Sequence, residues 1–319
     1  MMELWSKKLV NKNYSKNGNI LWLAKNKSST VVLGDSKGVL KVYSTSYTPV
    51  CSVDGKIFFN SANNTFEANS IYYTLDFTNF IKIPILNNTY TYLTNVVKFK
   101  GEFYFSFQGV GASGYIFKTK DFLTFTQVYS SSTWTLICLV TTKDAMLASV
   151  NSPPIVGNYT SEYNSYLYST DGATWTQKTL PIAGFPLKSF LVDGNLVTYV
   201  VSGFNSNMRC CYSLDGGVTF QSGSCPSRGI PNTCANIGSK FVYTDSVGYK
   251  GNILFSLDGK GYSRKNISGS ANVSVCATSE QFYFLAGDTI YTSKDGENWV
   301  QSFNIGSPDS SDISVLISV

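Results

Sequence analysis

Six short stretches of the sequence combine an aspartate with hydroxyl side chains and an aromatic residue, a set that could serve acid–base chemistry or bind a cation. One of them is "YSTDGATW", in which Ser169 precedes Asp171 and Trp175 follows it. A carboxylate in such a setting can act as a nucleophile, as a general acid or base, or as a cation ligand. Whether Asp171 takes part in a reaction or only stabilises a turn depends on which features the other five stretches share with it.

The six copies share one spacing. Each has Ser or Thr two residues before the aspartate and an aromatic residue four residues after it, or five in the one copy with an additional glycine. Successive aspartates are 45, 50, 44, 43 and 37 residues apart. Catalysis needs one special copy, whereas near-equivalent copies at a regular period indicate a turn that the aspartate stabilises. We therefore interpret six aspartates as structural: Asp76, Asp121, Asp171, Asp215, Asp258 and Asp295.

The segments between the aspartates predict β-strands. Two apolar runs joined by a short polar turn precede each copy, as in "KSFLVDGNLVTYVV". Each repeat then reads as strand A, tight turn, strand B, loop, strand C, Asp turn and strand D, which is typical of a propeller blade. We predict that residues 1–319 form a single all-β domain, a β-propeller of four-stranded antiparallel blades with seven blades, six or eight being the alternatives.

The first unit of the chain, residues 19–49, departs from the pattern. It is interpreted as strands A, B and C, with Ser46 in place of the aspartate and no strand D of its own. Apolar segments at the start and at the end of the chain, "ELWSKKLV" and "SDISVLISV", are left without partners. Joining both ends in one blade would close the ring and remove an open sheet edge, so we expect the chain termini to close it.

One copy resembles a known family motif. "SLDGGVTF" at 213–220 matches the pattern of the Asp-box, or bacterial neuraminidase repeat, and the other copies are similar to shortened versions of it. The Asp-box families include sialidases, other glycan-cleaving enzymes, sorting receptors, photosystem assembly factors and bacteriophage tail or virion proteins. The resemblance implies a propeller in which the box is a structural turn on the rim, away from the functional face. It implies no particular function.

The sequence argues against most enzyme classes. It has no histidine, which removes the Ser-His and Cys-His arrangements and the commonest zinc ligand. The sialidase resemblance would require an early Arg-Ile-Pro motif, but the near match "RGIP" at 228–231 has an extra glycine and lies late in the chain. It would also require an arginine triad, but Arg209, Arg228 and Arg264 are not placed in the predicted strands so as to converge on one carboxylate. We predict no catalytic residue, no cofactor and no metal. The alternative is a glycoside hydrolase that uses a carboxylate pair, or a glycan-binding lectin.

The predicted binding surface lies on the face opposite the Asp turns. The B–C and D–A connections share that face, and they are long and rich in Tyr, Asn, Gly and Ser. Long loops on a rigid scaffold are where binding usually resides, and these residue types make adaptable contacts. The candidate binding residues are Glu67, Tyr159, Glu162, Tyr163, Tyr166 and Arg228.

The net charge, the apolar runs and the cysteines limit the classes of partner and the cellular setting that the sequence predicts. The net charge is +5 but the lysines are scattered, so we predict no nucleic-acid binding. No run of apolar residues is long enough to span a membrane, and "MMELWSKKLV" lacks the apolar core of a signal peptide. The seven cysteines favour free thiols, and a bridge among Cys210, Cys211, Cys225 and Cys234 stays open.

The remaining expectations rest on resemblance. The excess of Asn, Ser, Thr and Tyr and the worn Asp-box copies are similar to those of bacteriophage virion or tail-associated proteins. That resemblance implies a non-catalytic module, made in the host cytoplasm and located in the virion, that decorates a particle or binds a receptor. Its implied partners are other virion or assembly proteins, or a cell-surface glycan or receptor. It also implies several copies in a symmetric assembly.

Overall fold

The strands and turns are taken from a computed structural model. It describes residues 20–25, 30–35, 38–44, 47–61, 71–75, 79–83, 90–109, 113–133, 135–151, 163–184, 190–202, 207–245, 251–268, 273–287, 289–304 and 315–318. In chain order the strands are β1 (Ile20–Lys25), β2 (Thr30–Asp35), β3 (Gly38–Ser44), β4 (Tyr47–Val53), β5 (Lys56–Ser61), β6 (Ile71–Thr74), β7 (Ile81–Ile83), β8 (Tyr90–Phe99), β9 (Glu102–Gly109), β10 (Gly114–Thr119), β11 (Thr126–Ser131), β12 (Thr135–Thr141), β13 (Met146–Asn151), β14 (Tyr163–Ser169), β15 (Thr176–Gly184), β16 (Leu191–Asp193), β17 (Leu196–Ser202), β18 (Met208–Ser213), β19 (Gln221–Ser222), β20 (Pro231–Ile237), β21 (Lys240–Asp245), β22 (Gly251–Ser256), β23 (Ser263–Ser268), β24 (Val273–Ala277), β25 (Phe282–Ala286), β26 (Thr289–Ser293), β27 (Val300–Asn304) and β28 (Val315–Ser318).

The strands form a single β-propeller of four-stranded antiparallel sheets. Six blades are each built from four consecutive strands, and we name them blades I to VI: β4–β7, β8–β11, β12–β15, β16–β19, β20–β23 and β24–β27. Within a blade the strands are called A to D in chain order. The A strands contact one another in the cyclic order β4, β8, β12, β16, β20, β24, with β28 between β24 and β4. These strands therefore surround the centre of a closed ring.

The prediction of a seven-bladed propeller is wrong: the structure has six blades, each built from four consecutive strands. The other four strands form a composite sheet in the order β28-β1-β2-β3. Strand β1 pairs with β2 on one side and with β28 on the other, where Leu21 lies opposite Ile317. The first unit therefore supplies strands B, C and D, and not the predicted A, B and C. Its strand A comes from the C-terminal end of the chain.

The predicted role of Ser46 is corrected with it. Strand β3, the last strand of the composite sheet, ends at Ser44, and β4, the first strand of blade I, begins at Tyr47, so β3 is not followed by a strand of its own sheet. Position 46 itself lies outside the described residues, as does the segment 3–10 that was expected to form a strand. Closure by the two ends of the chain takes place through the pairing of β28 with β1.

The core of the propeller lies between neighbouring blades. The B strands are buried along almost their whole length, because each is covered on both faces by the sheets on either side. The D strands form the outer edge and are largely exposed, as in β11 and β23. Each described interface from blade I to blade VI has its own apolar cluster, rich in Phe, Tyr, Leu and Val. Because consecutive strands of a blade are antiparallel, the A–B turns and the Asp turns lie on one face of the ring, the Asp-turn face. Strands B and D end on the opposite face, which we call the loop face.

Candidate functional site

The Asp turn between β14 and β15 is a closed set of hydrogen bonds. The Oδ1 atom of Asp171 accepts the backbone N–H groups of Ala173, at 2.8 Å, and of Thr174, at 2.7 Å. The hydroxyl of Ser169 donates to the same oxygen at 3.0 Å and accepts the N–H of Gly172 at 2.8 Å. One carboxylate and one hydroxyl thus accept hydrogen bonds from three backbone N–H groups of the turn, which lie outside the β-ladder.

The same pattern recurs in four other blades. In each, the aspartate Oδ1 accepts two backbone N–H groups within the next four residues, and the Ser or Thr two residues earlier donates to that carboxylate. These turns contain Asp121 in blade II, Asp215 in blade IV, Asp258 in blade V and Asp295 in blade VI. The sixth copy, Asp76, lies outside the described residues.

These hydrogen bonds hold the carboxylates in the ionised form. Backbone donation from Thr174 and Ala173 lowers the pKa of Asp171, and backbone donation from Thr124 and Leu123 does the same for Asp121. For Asp215, partial burial raises the pKa, but the hydrogen bonds from Ser213 and Thr219 outweigh it and lower the pKa to about 2. A general acid or base working near neutral pH needs a pKa close to the working pH. The Asp-turn carboxylates are shifted in the opposite direction.

In three blades the aromatic residue that follows the Asp turn contacts the preceding blade. Trp175 of blade III belongs to the cluster shared with blade II and lies 6.3 Å from Tyr129, between ring centroids. Phe220 of blade IV lies 5.2 Å from Tyr166 of blade III. The hydroxyl of Tyr262 in blade V is 3.0 Å from the hydroxyl of Thr198 in blade IV. In these three blades the aromatic residue therefore joins its own hairpin to the neighbouring blade.

Several apolar side chains on the Asp-turn face are exposed, which the sequence analysis missed. They are Leu75, Leu123, Leu214, Val218 and Leu257. The available signal was the leucine directly before the aspartate in three copies: it follows a buried strand C but occupies the outward position of the turn. They are spread over four blades, and scattered exposed apolar residues are common on protein surfaces.

The candidate binding residues are placed unevenly. Glu67, Tyr159 and Glu162 lie outside the described residues, and Tyr163 is described only as the first residue of β14. Tyr166 was expected on the binding loops, but it is 1% exposed within β14. Its hydroxyl donates to the carbonyl of Gly217 in blade IV at 2.9 Å. As placed, Tyr166 contributes to the interface between blades and not to the loop surface.

Arg228 is exposed on a connection that the structure describes in full. We call residues 223–230 the IV–V segment, since it joins strand D of blade IV to strand A of blade V. At its start, Gly223 N–H donates to the carbonyl of Cys210 at 2.9 Å. Ser224 then exchanges backbone hydrogen bonds with Lys260, at 3.1 Å, and Tyr262, at 2.8 Å.

The far end of the IV–V segment is fixed by a buried acid. Asp245 at the end of β21 is fully buried, and its Oδ1 accepts the N–H of Ile230 at 2.9 Å. Its Oδ2 lies 2.8 Å from Nε of Arg264. A buried carboxylate requires such a partner, because burial without one is strongly unfavourable. The segment is therefore held at both ends, with Arg228 presented between them.

Two of the three arginines have partners in different blades. Arg264 pairs with Asp245, and Arg209 donates to the carbonyl of Ala183 in blade III at 2.6 Å. Among the described residues no group of three or more potential ligands could hold a metal ion. The described part of the chain also contains no helix that could span a membrane. None of the seven cysteines, which all lie in described segments, forms a disulfide.

Comparison with known proteins identifies the class by its fold. No family model and no curated protein matches this sequence. Virginiamycin B lyase from Staphylococcus aureus is similar in structure, with a TM-score of 0.58, 13% identity, and coverage of 87% of this chain and 94% of that one. The β-propeller domain of the Trilobed protease from Pyrococcus furiosus has a TM-score of 0.54 and 13% identity, over 91% of this chain and 100% of that one.

A third similar structure is that of YCF48 bound to D1 peptide. It has a TM-score of 0.53 and 11% identity, over 81% of this chain and 82% of that one. The similar proteins thus include a lyase, part of a protease and a peptide-bound protein. The chain is a β-propeller, and at these identities the likeness concerns the fold alone.

Proposed function

We propose that this propeller is a non-catalytic interaction module that binds a protein partner through the face opposite the Asp turns. The observation that carries this proposal is the use of the described Asp-turn carboxylates. Five of them accept backbone hydrogen bonds in five separate blades, and their pKa values are lowered. The Asp-turn aspartates, which resemble active-site residues in the sequence, are therefore assigned a structural role in the turns.

Three acids elsewhere in the described residues fit the same proposal. Asp245 is paired with Arg264 and buried, and Asp54 accepts a hydrogen bond from Lys98 at 2.8 Å. Glu102 accepts one from Lys118 at 3.1 Å. A glycosidase of the carboxylate-pair type needs two acids that flank a substrate within ~5 to 10 Å of each other. These three acids lie in three different blades and each has a cationic partner, so they are better explained as structural residues.

The IV–V segment is the best-supported contact surface. It presents the exposed cation Arg228 on backbone that is hydrogen-bonded at both ends, which limits the entropy lost when a partner binds. Arginine is enriched at the centres of protein interfaces because its planar group pairs with carboxylates. The peptide-bound YCF48 structure offers a precedent for this fold as a peptide binder. We therefore expect a partner with acidic residues at the contact.

The finer proposal is that the partner belongs to a bacteriophage virion or tail. Its support is the resemblance of "SLDGGVTF" to the Asp-box and the composition rich in Asn, Ser, Thr and Tyr. The module would then decorate the particle in several symmetric copies, or bind a receptor on the host surface.

Purification from the source organism followed by binding measurements tests the proposal. We expect the chain to co-purify with a protein, and Arg228→Glu to weaken that complex by about ten- to a hundredfold, as loss of an interfacial arginine typically does. The control is Lys143→Glu, a matched charge reversal at an exposed residue in the turn between β12 and β13, on the Asp-turn face. A free monomer that cleaves a glycan would overturn the proposal.

A further inference from the structure

Two cysteines meet where the IV–V segment leaves blade IV. Cys210 lies in β18 and is buried, whereas Cys225 lies in the segment and is partly exposed. Both pack in the apolar cluster between blades IV and V. Cys211, the next residue along β18, belongs to the cluster between blades III and IV. Because successive side chains of a strand point to opposite faces, only one of the two adjacent thiols faces the segment.

The backbone brings the two thiols together. The pairing of β18 with β19 places Cys211 opposite Ser222, and the ladder ends there. The next residue, Gly223, still donates to the Cys210 carbonyl, after which the chain turns toward blade V. The Sγ atom of Cys210 lies 3.2 Å from the carbonyl oxygen of Ser224, the residue bonded directly to Cys225. Interaction with the Cys225 thiol raises the pKa of Cys210.

Gly223 leaves room for this contact. A Cβ atom at that position would lie 2.7 Å from the Cys210 sulfur and 2.3 Å from the carbonyl oxygen of Lys260. Any side chain would therefore displace either the sulfur or the backbone of blade V. The absence of a side chain lets the Cys210 sulfur lie against the backbone of positions 223 and 224.

We propose that Cys210 and Cys225 form a reversible disulfide that fixes the IV–V segment to blade IV. The proposal concerns the thiols alone and does not depend on the identity of the partner.

The two thiols are chemically unequal, which gives the reaction an order. Donation from Cys210 lowers the pKa of the Cys225 thiol, burial opposes this, and the charge of Arg264 lowers the pKa further. The shared hydrogen bond and burial raise the pKa of Cys210. The thiolate is the reacting form of cysteine, so the accessible Cys225 reacts first.

With a hydroperoxide as oxidant, the reaction balances in two steps. The Cys225 thiolate attacks one oxygen of hydrogen peroxide, the O–O bond breaks, and Cys225 sulfenic acid and hydroxide form. The Cys210 sulfur then attacks the Cys225 sulfur, the S–O bond breaks, and the oxygen leaves as water with the Cys210 proton. In total two thiols lose two electrons and two protons, and one peroxide becomes two waters.

Peptide mapping of the oxidised full-length protein tests the proposal. Cleavage after Arg209 and Arg228 releases residues 210–228, which contain Cys210, Cys211 and Cys225. After treatment with hydrogen peroxide and alkylation under denaturing conditions, we expect this peptide to carry one alkyl group, on Cys211. Reduction before alkylation should restore three. Three alkyl groups without reduction, a bridge that includes Cys211, or over-oxidised Cys225 without a bridge would each overturn the proposal.

Two variants complete the test. Cys225→Ser changes a partly exposed residue and should abolish the bridge, together with the increase in Tm that oxidation produces in the parent protein by closing a loop. Cys234→Ala, which changes another cysteine of the same cluster, should leave both intact. A peroxide-induced bridge that persists in Cys225→Ser, or is lost in Cys234→Ala, would contradict the assignment.

Discussion

At the scale of single residues, the hydrogen-bond partners of an aspartate show whether its role is catalytic or structural. Asp171 has the neighbours of a reactive group, yet its Oδ1 accepts two backbone N–H groups and the Ser169 hydroxyl. A carboxylate that accepts these three hydrogen bonds is stabilised as an anion and is poorly suited to proton transfer. Its contribution should appear in the free energy of unfolding.

Asp171→Ala should therefore destabilise the protein without changing its binding. Loss of the carboxylate leaves the Ala173 and Thr174 N–H groups to solvent at a tight turn, which should cost about 1 to 3 kcal/mol. Thermal or urea unfolding measures the change. Asp144→Ala, at an exposed residue in the turn between β12 and β13 of the same blade, is the control and should change stability by about 0.5 kcal/mol or less. An Asp171→Ala protein with unchanged Tm and lost binding would refute the structural role.

The Asp turns also predict sensitivity to acid. Their pKa values are lower in the folded state than in the unfolded chain, with Asp215 at about 2, so the unfolded chain binds more protons at low pH. The stabilisation is complete above the unfolded-state pKa of ~4 and is lost as the pH falls toward 2. Urea unfolding between pH 6 and 2 measures it. We expect Asp171→Ala to lose less stability over this interval than the parent protein, whereas an identical loss in both would contradict the assignment.

At the scale of elements, each Asp turn is also part of the interface with the preceding blade. Gly172 has a φ of +74°, and a Cβ atom there would lie 2.2 Å from the hydroxyl oxygen of Tyr104 in blade II. Gly194, in the turn between β16 and β17, has a φ of +60° with no atom within 4 Å of such a Cβ. The two glycines share a backbone conformation and differ in their surroundings.

Gly172→Ala should consequently be more destabilising than Gly194→Ala. Positive φ costs both variants about 1 kcal/mol, and the contact with the Tyr104 ring should cost Gly172→Ala about 1 to 3 kcal/mol more. The difference between their free energies of unfolding isolates the contact between blades. Equal effects would show that the turn and the neighbouring blade are not coupled in this way.

At the scale of the whole molecule, the blades were predictable where the signals are local. Aspartate, glycine and aromatic residue lie within a few residues of one another, so their spacing predicts the turn, and the turn predicts the blade. The pairing of β1 with β28 joins residues from opposite ends of the chain, and no local pattern carries it. The first unit was therefore given the wrong strand letters, although closure by the chain ends was expected.

The site was less predictable than the fold for the same reason. Tyr166 was taken for a loop residue because its segment is rich in Tyr, Asn and Ser, but packing against Phe190 and Phe220 buries it. The pair of Asp245 and Arg264 joins strands B and D of blade V, and the contact of Cys210 with Ser224 needs the bend after β19. Such contacts depend on how strands and segments pack, which sequence spacing does not report.

The central claim is that the partner binds the loop face and not the Asp-turn face. Photo-crosslinking in the source organism tests it directly, with a benzophenone amino acid placed at Ser227 in the IV–V segment or at Leu123 on the Asp-turn face, both exposed. The account predicts that one defined protein is cross-linked from position 227 and none from position 123. Cross-linking of a defined partner from position 123 alone would contradict it.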